Sequence, residues 1–156
     1  MICSNWGDIL ECKFKRFDQL TNDELYGILQ LRVEVFVVEQ NCPYQDLDGK
    51  DRQAMHLFVE DNGVIAGVLR ILPEGVGFDD MAIGRLIVRK TYRGKGLSRM
   101  LMKKAMKYII CDLDKDRIRL SGQAYLTNFY TGLGFKKVSD CYLEDGIEHF
   151  EFLYES

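Results

Sequence analysis

Two glycines and two cations stand together in Arg93-Gly94-Lys95-Gly96-Leu97-Ser98, directly ahead of a helical pattern. Glycines at such a junction let the chain turn tightly and bring main-chain N–H groups within reach of an anion. The helix dipole adds about half a positive charge there, and Arg93 and Lys95 add whole ones. A pyrophosphate is the natural occupant. Two phosphate-binding patterns are excluded. A P-loop needs GxxxxGK followed by Ser or Thr, which is absent. A dinucleotide fingerprint needs GxGxxG, but Arg99 takes the third glycine's place, and the loop follows strands that read as antiparallel. A third pattern, Arg/Gln-x-x-Gly-x-Gly/Ala, fits with Ser98 in place of the last small residue. The same residues would also suit a plain glycine turn feeding a helix.

Other chemistry-bearing residues are scattered. Asp46-Leu47-Asp48-Gly49-Lys50-Asp51 is rich in carboxylates, but an EF-hand needs glycine at its sixth position and glutamate at its twelfth, where this chain has Asp51 and Leu57. No metal is expected. The segment reads either as an ordinary polar loop or as an acidic lip that attracts a cationic amine. Cys42 and Cys141 stand in no constellation with histidine, so thiol catalysis is unsupported. His149 has no partner visible in the sequence.

The elements that must position these residues can be read from periodicity and turn signals. Alternation predicts a strand over Glu11 to Phe17. Thr21 with Glu24 forms a capping box, opening a helix with Leu25, Ile28, Leu29, Arg32 and Val35/Phe36 at helical spacing. Asn41 to Asp51 reads as loop. Strands Ala54 to Glu60 and Val64 to Leu72 flank Asp61-Asn62-Gly63, a hairpin signal, and Met81 to Val88 is a third long strand. An amphipathic helix follows over Leu97 to Cys111. A strand over Arg117 to Gln123 precedes a short helix over Tyr125 to Leu133, ended by Gly134. Strands Val138 to Leu143 and Glu148 to Tyr154 close the chain through Glu144-Asp145-Gly146. The order β-α-β-β-β-α-β-α-β-β implies an α+β fold: one mixed sheet, mostly antiparallel, flanked by helices as α/β/α layers.

The 156 residues suit a single domain, 1–156, with a core of its own. Apolar runs of about five residues fall far short of the ~20 a membrane span needs, and Met1 to Asp8 shows no signal peptide. Five cysteines without a CxxC pair read as reduced thiols in a cytoplasmic protein. The net charge is −3, yet nine basic residues and no acid lie between Arg85 and Lys107, leaving 12 basic against 24 acidic elsewhere. Such a segment implies a local anion site. A pI of 5.4 argues for a small phosphorylated ligand rather than nucleic acid.

Downstream, Gln123-Ala124-Tyr125-Leu126-Thr127-Asn128-Phe129-Tyr130-Thr131-Gly132-Leu133-Gly134-Phe135 follows the next strand. With the glycine loop, it resembles the GNAT family of acetyl-CoA-dependent N-acetyltransferases, whose cofactor loop and Tyr-x-x-x-Gly-Phe element occur in this order. Arg32 to Gly49 and Ile83-Gly84-Arg85 resemble its ElaA-type subgroup. The resemblance implies that Arg93, Gly94, Lys95, Gly96, Leu97 and Ser98 hold the pyrophosphate of acetyl-CoA. It implies that the backbone of Leu86, Ile87 and Val88 aligns the pantetheine arm as an added strand, with an amide near Leu86 or Ile87 polarising the acetyl carbonyl. Gln123 and Asn128 would contact the cofactor, Gln123 standing where many members have asparagine. Tyr130 would give a proton to the leaving thiolate, its other role being a core aromatic. Where the family often has a glutamate base, this chain has Ala82, Ile83, Gly84 and Arg85. Arg85 cannot accept a proton and would bind a substrate carboxylate or organise the site. Glu39 and His56 are the candidate bases, and a water chain is the other route. The implied activity is transfer of acetyl to an amine, small or peptidic, with no nucleic acid or membrane partner; a homodimer would be ordinary. The rival is a non-catalytic acyl-CoA-binding module of the same fold.

Overall fold

The computed structural model describes residues 10–156; Met1 to Asp8, expected to hold no signal peptide, lies outside them. The strands are β1 (Glu11–Arg16), β2 (Met55–Asp61), β3 (Val64–Leu72), β4 (Met81–Val88), β5 (Arg117–Gln123), β6 (Lys136–Lys137), β7 (Tyr142–Glu144) and β8 (Ile147–Glu155). They form one sheet ordered β1-β2-β3-β4-β5-β8-β6, with β7 also on β8. Neighbours are antiparallel except β4 and β5, which run parallel. Helix α1 (Asn22–Arg32) covers one face; α2 (Leu97–Lys107) and the short α3 (Thr127–Thr131) belong to the core of the other.

Local chemistry explains these elements. The Thr21 hydroxyl accepts from the Glu24 amide at 3.1 Å, and Glu24 accepts from the Thr21 amide at 3.0 Å, completing the capping box. Asn62 and Gly63 adopt φ of 49° and 82°, the paired positive angles of a tight hairpin turn. Alternate residues of β2 and β3 enter different cores. Phe58 and Val68 meet Ile28, Leu31 and Val35, whereas Leu57 and Leu69 meet Leu101 and Met102. A sheet covered on both faces needs such near-continuous apolar strands, and each buried aliphatic side chain contributes about 1.5–3 kcal/mol.

Four boundaries differ from the pattern-based reading. The first helix passes into a π-helical turn over Val33–Glu39, where Gln40 N–H reaches Val35 O and Cys42 N–H reaches Val37 O. The second does the same over Tyr108–Asp112. The helix expected over Tyr125 to Leu133 begins as a 3₁₀ turn, Ala124–Leu126, with the Thr127 hydroxyl bonded to Ala124 O at 2.7 Å. Of the strand expected over Val138 to Leu143, only Tyr142 and Leu143 are strand, within β7; residues 138–141 lie between β6 and β7. Between them the Ser139 hydroxyl, not a main-chain carbonyl, takes the Glu151 N–H at 2.8 Å, interrupting the ladder.

Candidate functional site

β4 and β5 pair only at Met81↔Ile118 and Ala82↔Arg119, then part. A bulge accompanies the parting: Val68 faces Ile87 and Arg70 faces Gly84, so Arg85 and Leu86 share one position of β3. Bulges bend a strand and release main-chain groups from the ladder. Arg85 adopts φ of 53°, costly for a residue with a side chain. Between the parted strands lies a cleft of about 780 Å³, with Ile83 to Val88 on one wall and Leu120, Ser121 and Gln123 on the other. That volume lies in the range of small-molecule sites.

A buried ion network holds the bulge in place. Arg32, only 1% exposed, gives Nε to Asp46 at 2.8 Å and Nη1 to Asp51 at 2.6 Å. Arg70 bonds Asp48 through both terminal nitrogens at 2.8 Å and Asp51 at 3.1 Å. Arg85 Nε lies 2.8 Å from Asp46, and its Nη2 reaches Asp46 O at 3.0 Å. Three cations and three anions thus close on one another and pin the loop after α1 against β3 and β4. Burial pushes the Asp48 and Asp51 carboxyls up, but arginine hydrogen bonds outweigh it and hold both well below the usual range. Burial, the largest single effect, pushes Glu24 up, but bonds from Lys15, the Thr21 amide and Lys13 together outweigh it and hold it at about 2. A carboxylate with a depressed folded-state pKa stabilises the fold above its unfolded value and loses that contribution as pH falls through the folded one. Thermal melts should therefore hold steady above about pH 5 and fall steeply below about pH 4. Glu24→Gln should flatten the acid limb; an unchanged limb would refute its share.

At the glycine loop, Gly94 and Gly96 adopt φ of 75° and 81°, and a Cβ on either would meet nothing within 4 Å. Gly96 caps α2 with no side-chain bond, and the first helical bond runs from Met100 N–H to Gly96 O. The first-turn N–H groups therefore point out of the helix end. Ser98 lines the cleft, as do Leu86, Ile87 and Val88; Leu97 is buried beneath the turn, and Lys95 is exposed. Tyr130, 7% exposed, also lines the cleft, its ring against Phe129, Phe135 and Phe152. Among the described residues its hydroxyl has no hydrogen-bond partner, and burial pushes it up to about 12.

A family model described as an acetyltransferase (GNAT) domain matches residues 20–155. The chain belongs to the GNAT acetyltransferase family. It is 38% identical to protein ElaA of Escherichia coli over 90% of this chain and 94% of that one. The crystal structure of E. coli ElaA superposes with a TM-score of 0.86, covering 94% of this chain and 99% of that one. An acyl-CoA N-acyltransferase from Pseudomonas aeruginosa, 39% identical, gives 0.87 over 93% and 99%. The fold is the GNAT acyl-CoA N-acyltransferase fold, and the uncapped α2 terminus with its open glycines fits a pyrophosphate.

Several sequence-based roles need correction within this GNAT frame. Glu39 lines the cleft but accepts two bonds from Arg93, one of them at 2.7 Å, which holds its carboxyl below the ordinary value. It is poorly placed to take a proton. Arg93 in turn gives Nε to Val88 O at 2.9 Å, so its guanidinium is engaged by protein groups rather than aimed at the glycine loop. His56 is 3% exposed, lies outside the cleft lining and bonds Asp51 O at 2.9 Å; burial lowers its pKa. It is a packed histidine. Arg85 serves the ion network, so of its two expected roles the structure fits organising the site rather than binding a substrate carboxylate. The three carboxylates of the acidic segment are engaged by arginines, Asp48 while lining the cleft. Gln123 lines the cleft and donates to Gln40 at 3.1 Å, whereas Asn128 is exposed and outside the lining. Among the described residues, no cluster could hold a metal ion, and no helix is long and apolar enough to cross a membrane.

Besides the ion network, two features escaped the sequence reading. Gly122 lets Tyr130 lie on β5: a Cβ there would sit 2.5 Å from the Tyr130 ring and 3.0 Å from Phe152. Gly122→Ala should therefore cost about 1–3 kcal/mol by overpacking, read as a lower urea midpoint; an unchanged midpoint would show that the ring yields freely. The second feature is a polar cluster on the cleft wall. Ser121 donates to Glu144 at 2.9 Å and bonds the Tyr142 hydroxyl; His149 stacks on Tyr142, with Nε2 3.5 Å from Glu144.

Proposed function

We propose that this chain transfers acetyl from acetyl-CoA to the nitrogen of an amine by direct attack on the thioester. The parting of β4 from β5 carries the reading, because it leaves the Leu86–Val88 stretch without a β5 partner beside the cleft, where an extended pantetheine arm can add as a strand. The diphosphate would sit on the main-chain N–H groups at Gly94, Gly96, Leu97 and Ser98. A main-chain N–H at the Leu86–Ile87 bulge would polarise the acetyl carbonyl. Tyr130, kept protonated by burial, would offer its hydroxyl to the departing sulfur. The acceptor would be a small or peptidic amine, reaching the thioester from the side of the loop after α1.

Calorimetry with coenzyme A and acetyl-CoA, followed by thiol release across a panel of primary amines, tests this directly. The expected result is binding of both and amine-dependent release of free thiol. Absence of binding overturns the reading. Binding without release for any amine would leave a non-catalytic acyl-CoA module.

A further inference from the structure

With Glu39 paired to Arg93 and His56 sealed in the core, neither candidate base can take the proton an attacking amine must lose. The cleft offers another group. His149 on β8 sits opposite Gln123 of β5 on one side and Tyr142 of β7 on the other. The two-residue Asp145-Gly146 turn sets the second pairing, since Glu144 faces Ile147 and the register counts back to Tyr142↔His149. His149 is 8% exposed and lines the cleft with Ser121, Gln123 and Glu144.

The hydrogen bonds settle what each atom can do. Ile147 O lies 2.7 Å from His149 Nδ1 and can only accept, so Nδ1 carries the hydrogen. In the neutral ring, Nε2 then holds a lone pair, yet its neighbour at 3.5 Å is the Glu144 carboxylate, itself an acceptor. While the ring is neutral, a donor with at least two N–H bonds can serve both acceptors at once. An alkylammonium supplies three. Glu144 is held by Ser121, which is backed by Tyr142, and half its side chain is exposed, leaving it able to receive a charged ligand.

We propose that Ser121, Tyr142, Glu144 and His149 form the acceptor subsite for a cationic primary amine, in which Glu144 pairs with the ammonium and His149 Nε2 accepts its proton. This rests on the acetyltransferase reading and adds the acceptor class and the base. The ammonium nitrogen loses two protons overall. The first passes to His149 Nε2 and on to water, freeing the lone pair that forms the C–N bond as the C–S bond breaks. The second leaves the nitrogen after attack, and a proton arrives on the departing sulfur, giving amide, free thiol and one released proton. Ser121 and Tyr142 are positioning residues that hold the carboxylate. The titratable groups against the imidazole are Glu144 and Tyr142; Asp145 and Cys42, whose thiol donates to Asp145 O at 3.4 Å, line the same cleft.

The test has a kinetic arm and a binding arm. In the first, native protein, Glu144→Gln, His149→Gln and Tyr142→Phe are assayed for thiol release with propylamine, lysine methyl ester and spermidine from pH 6 to 9. Glu144→Gln should raise KM for the amine about tenfold, and Tyr142→Phe less. His149→Gln should lower kcat about 100-fold, with acetyl-CoA affinity unchanged in all three. In the second arm, the His149 ring nitrogens are followed by NMR in CoA-bound protein as each amine is added. The native signals should shift and saturate, and Glu144→Gln should require about tenfold more amine. If no amine moves these signals, or if native turnover survives both Glu144→Gln and His149→Gln, the subsite is refuted. Failure of the acetyltransferase reading looks different: acetyl-CoA itself does not bind.

Discussion

Arg32→Met is expected to lower the stability of the fold by about 3–5 kcal/mol, the usual consequence of leaving buried charge unpaired. The side chain it replaces is 1% exposed and holds both Asp46 and Asp51. Methionine fills similar space, so the loss is electrostatic rather than a cavity. Asp46 is as buried as the arginine and would keep only Arg85 and the Tyr44 hydroxyl. Adding Asp46→Asn and Asp51→Asn should recover part of the loss, because a neutral amide tolerates the missing cation, and the shortfall from additivity measures the coupling. Urea unfolding of the single and triple variants provides the comparison. A loss below about 1 kcal/mol for Arg32→Met would place the network with weak surface pairs instead. The effect should also reach the cleft, since Asp46 is the group that holds Arg85 in its positive-φ bulge.

What could be read from the residue order depended on how local each signal was. The Thr21/Glu24 box, the Asn62-Gly63 hairpin and the amphipathic face of α2 act over a few residues, and they emerged where expected. The glycine loop belongs to the same class: its function needs only a turn and a helix start. Roles that depend on distant partners were hidden. Arg32 fitted a helical stripe by position, and only its meeting with Asp46 and Asp51 reveals a buried cation. Arg70 was the clue available, because a charge inside the apolar run Val64 to Leu72 implies a buried counter-charge. His149 was hidden as well: its pairing with Tyr142 follows from a two-residue Asp145-Gly146 turn, where the sequence reading had the longer Glu144-Asp145-Gly146 connection. Ser121 completes that cluster from 23 residues before Glu144, a separation no periodicity can bridge. The π turns were invisible for another reason: they keep nearly helical spacing while shifting the face by one residue.

Tyr130→Phe should reduce kcat for thiol release about 100-fold while leaving the unfolding midpoint and coenzyme A affinity as they are. The separation follows from what the residue touches. Its ring carries the packing, edge-on to Phe129 and Phe135 and tilted against Phe152 at 5.1 Å, and phenylalanine retains all three contacts. Its hydroxyl forms no hydrogen bond within the described residues, so removal leaves no protein group unpaired and folding has nothing to lose. The same isolation leaves the hydroxyl able to donate into the cleft. In the proposed reaction the departing thioester sulfur would develop negative charge beside it, and without a donor that charge would lack a stabilising partner. Because burial raises the phenol to about 12, it stays protonated across the working range, and the native rate should show no alkaline loss from this group below about pH 10. Stopped-time thiol assays beside urea titrations decide the matter. A variant with native kcat would make Tyr130 a core aromatic alone, while a lower midpoint would mean that the hydroxyl supports the fold.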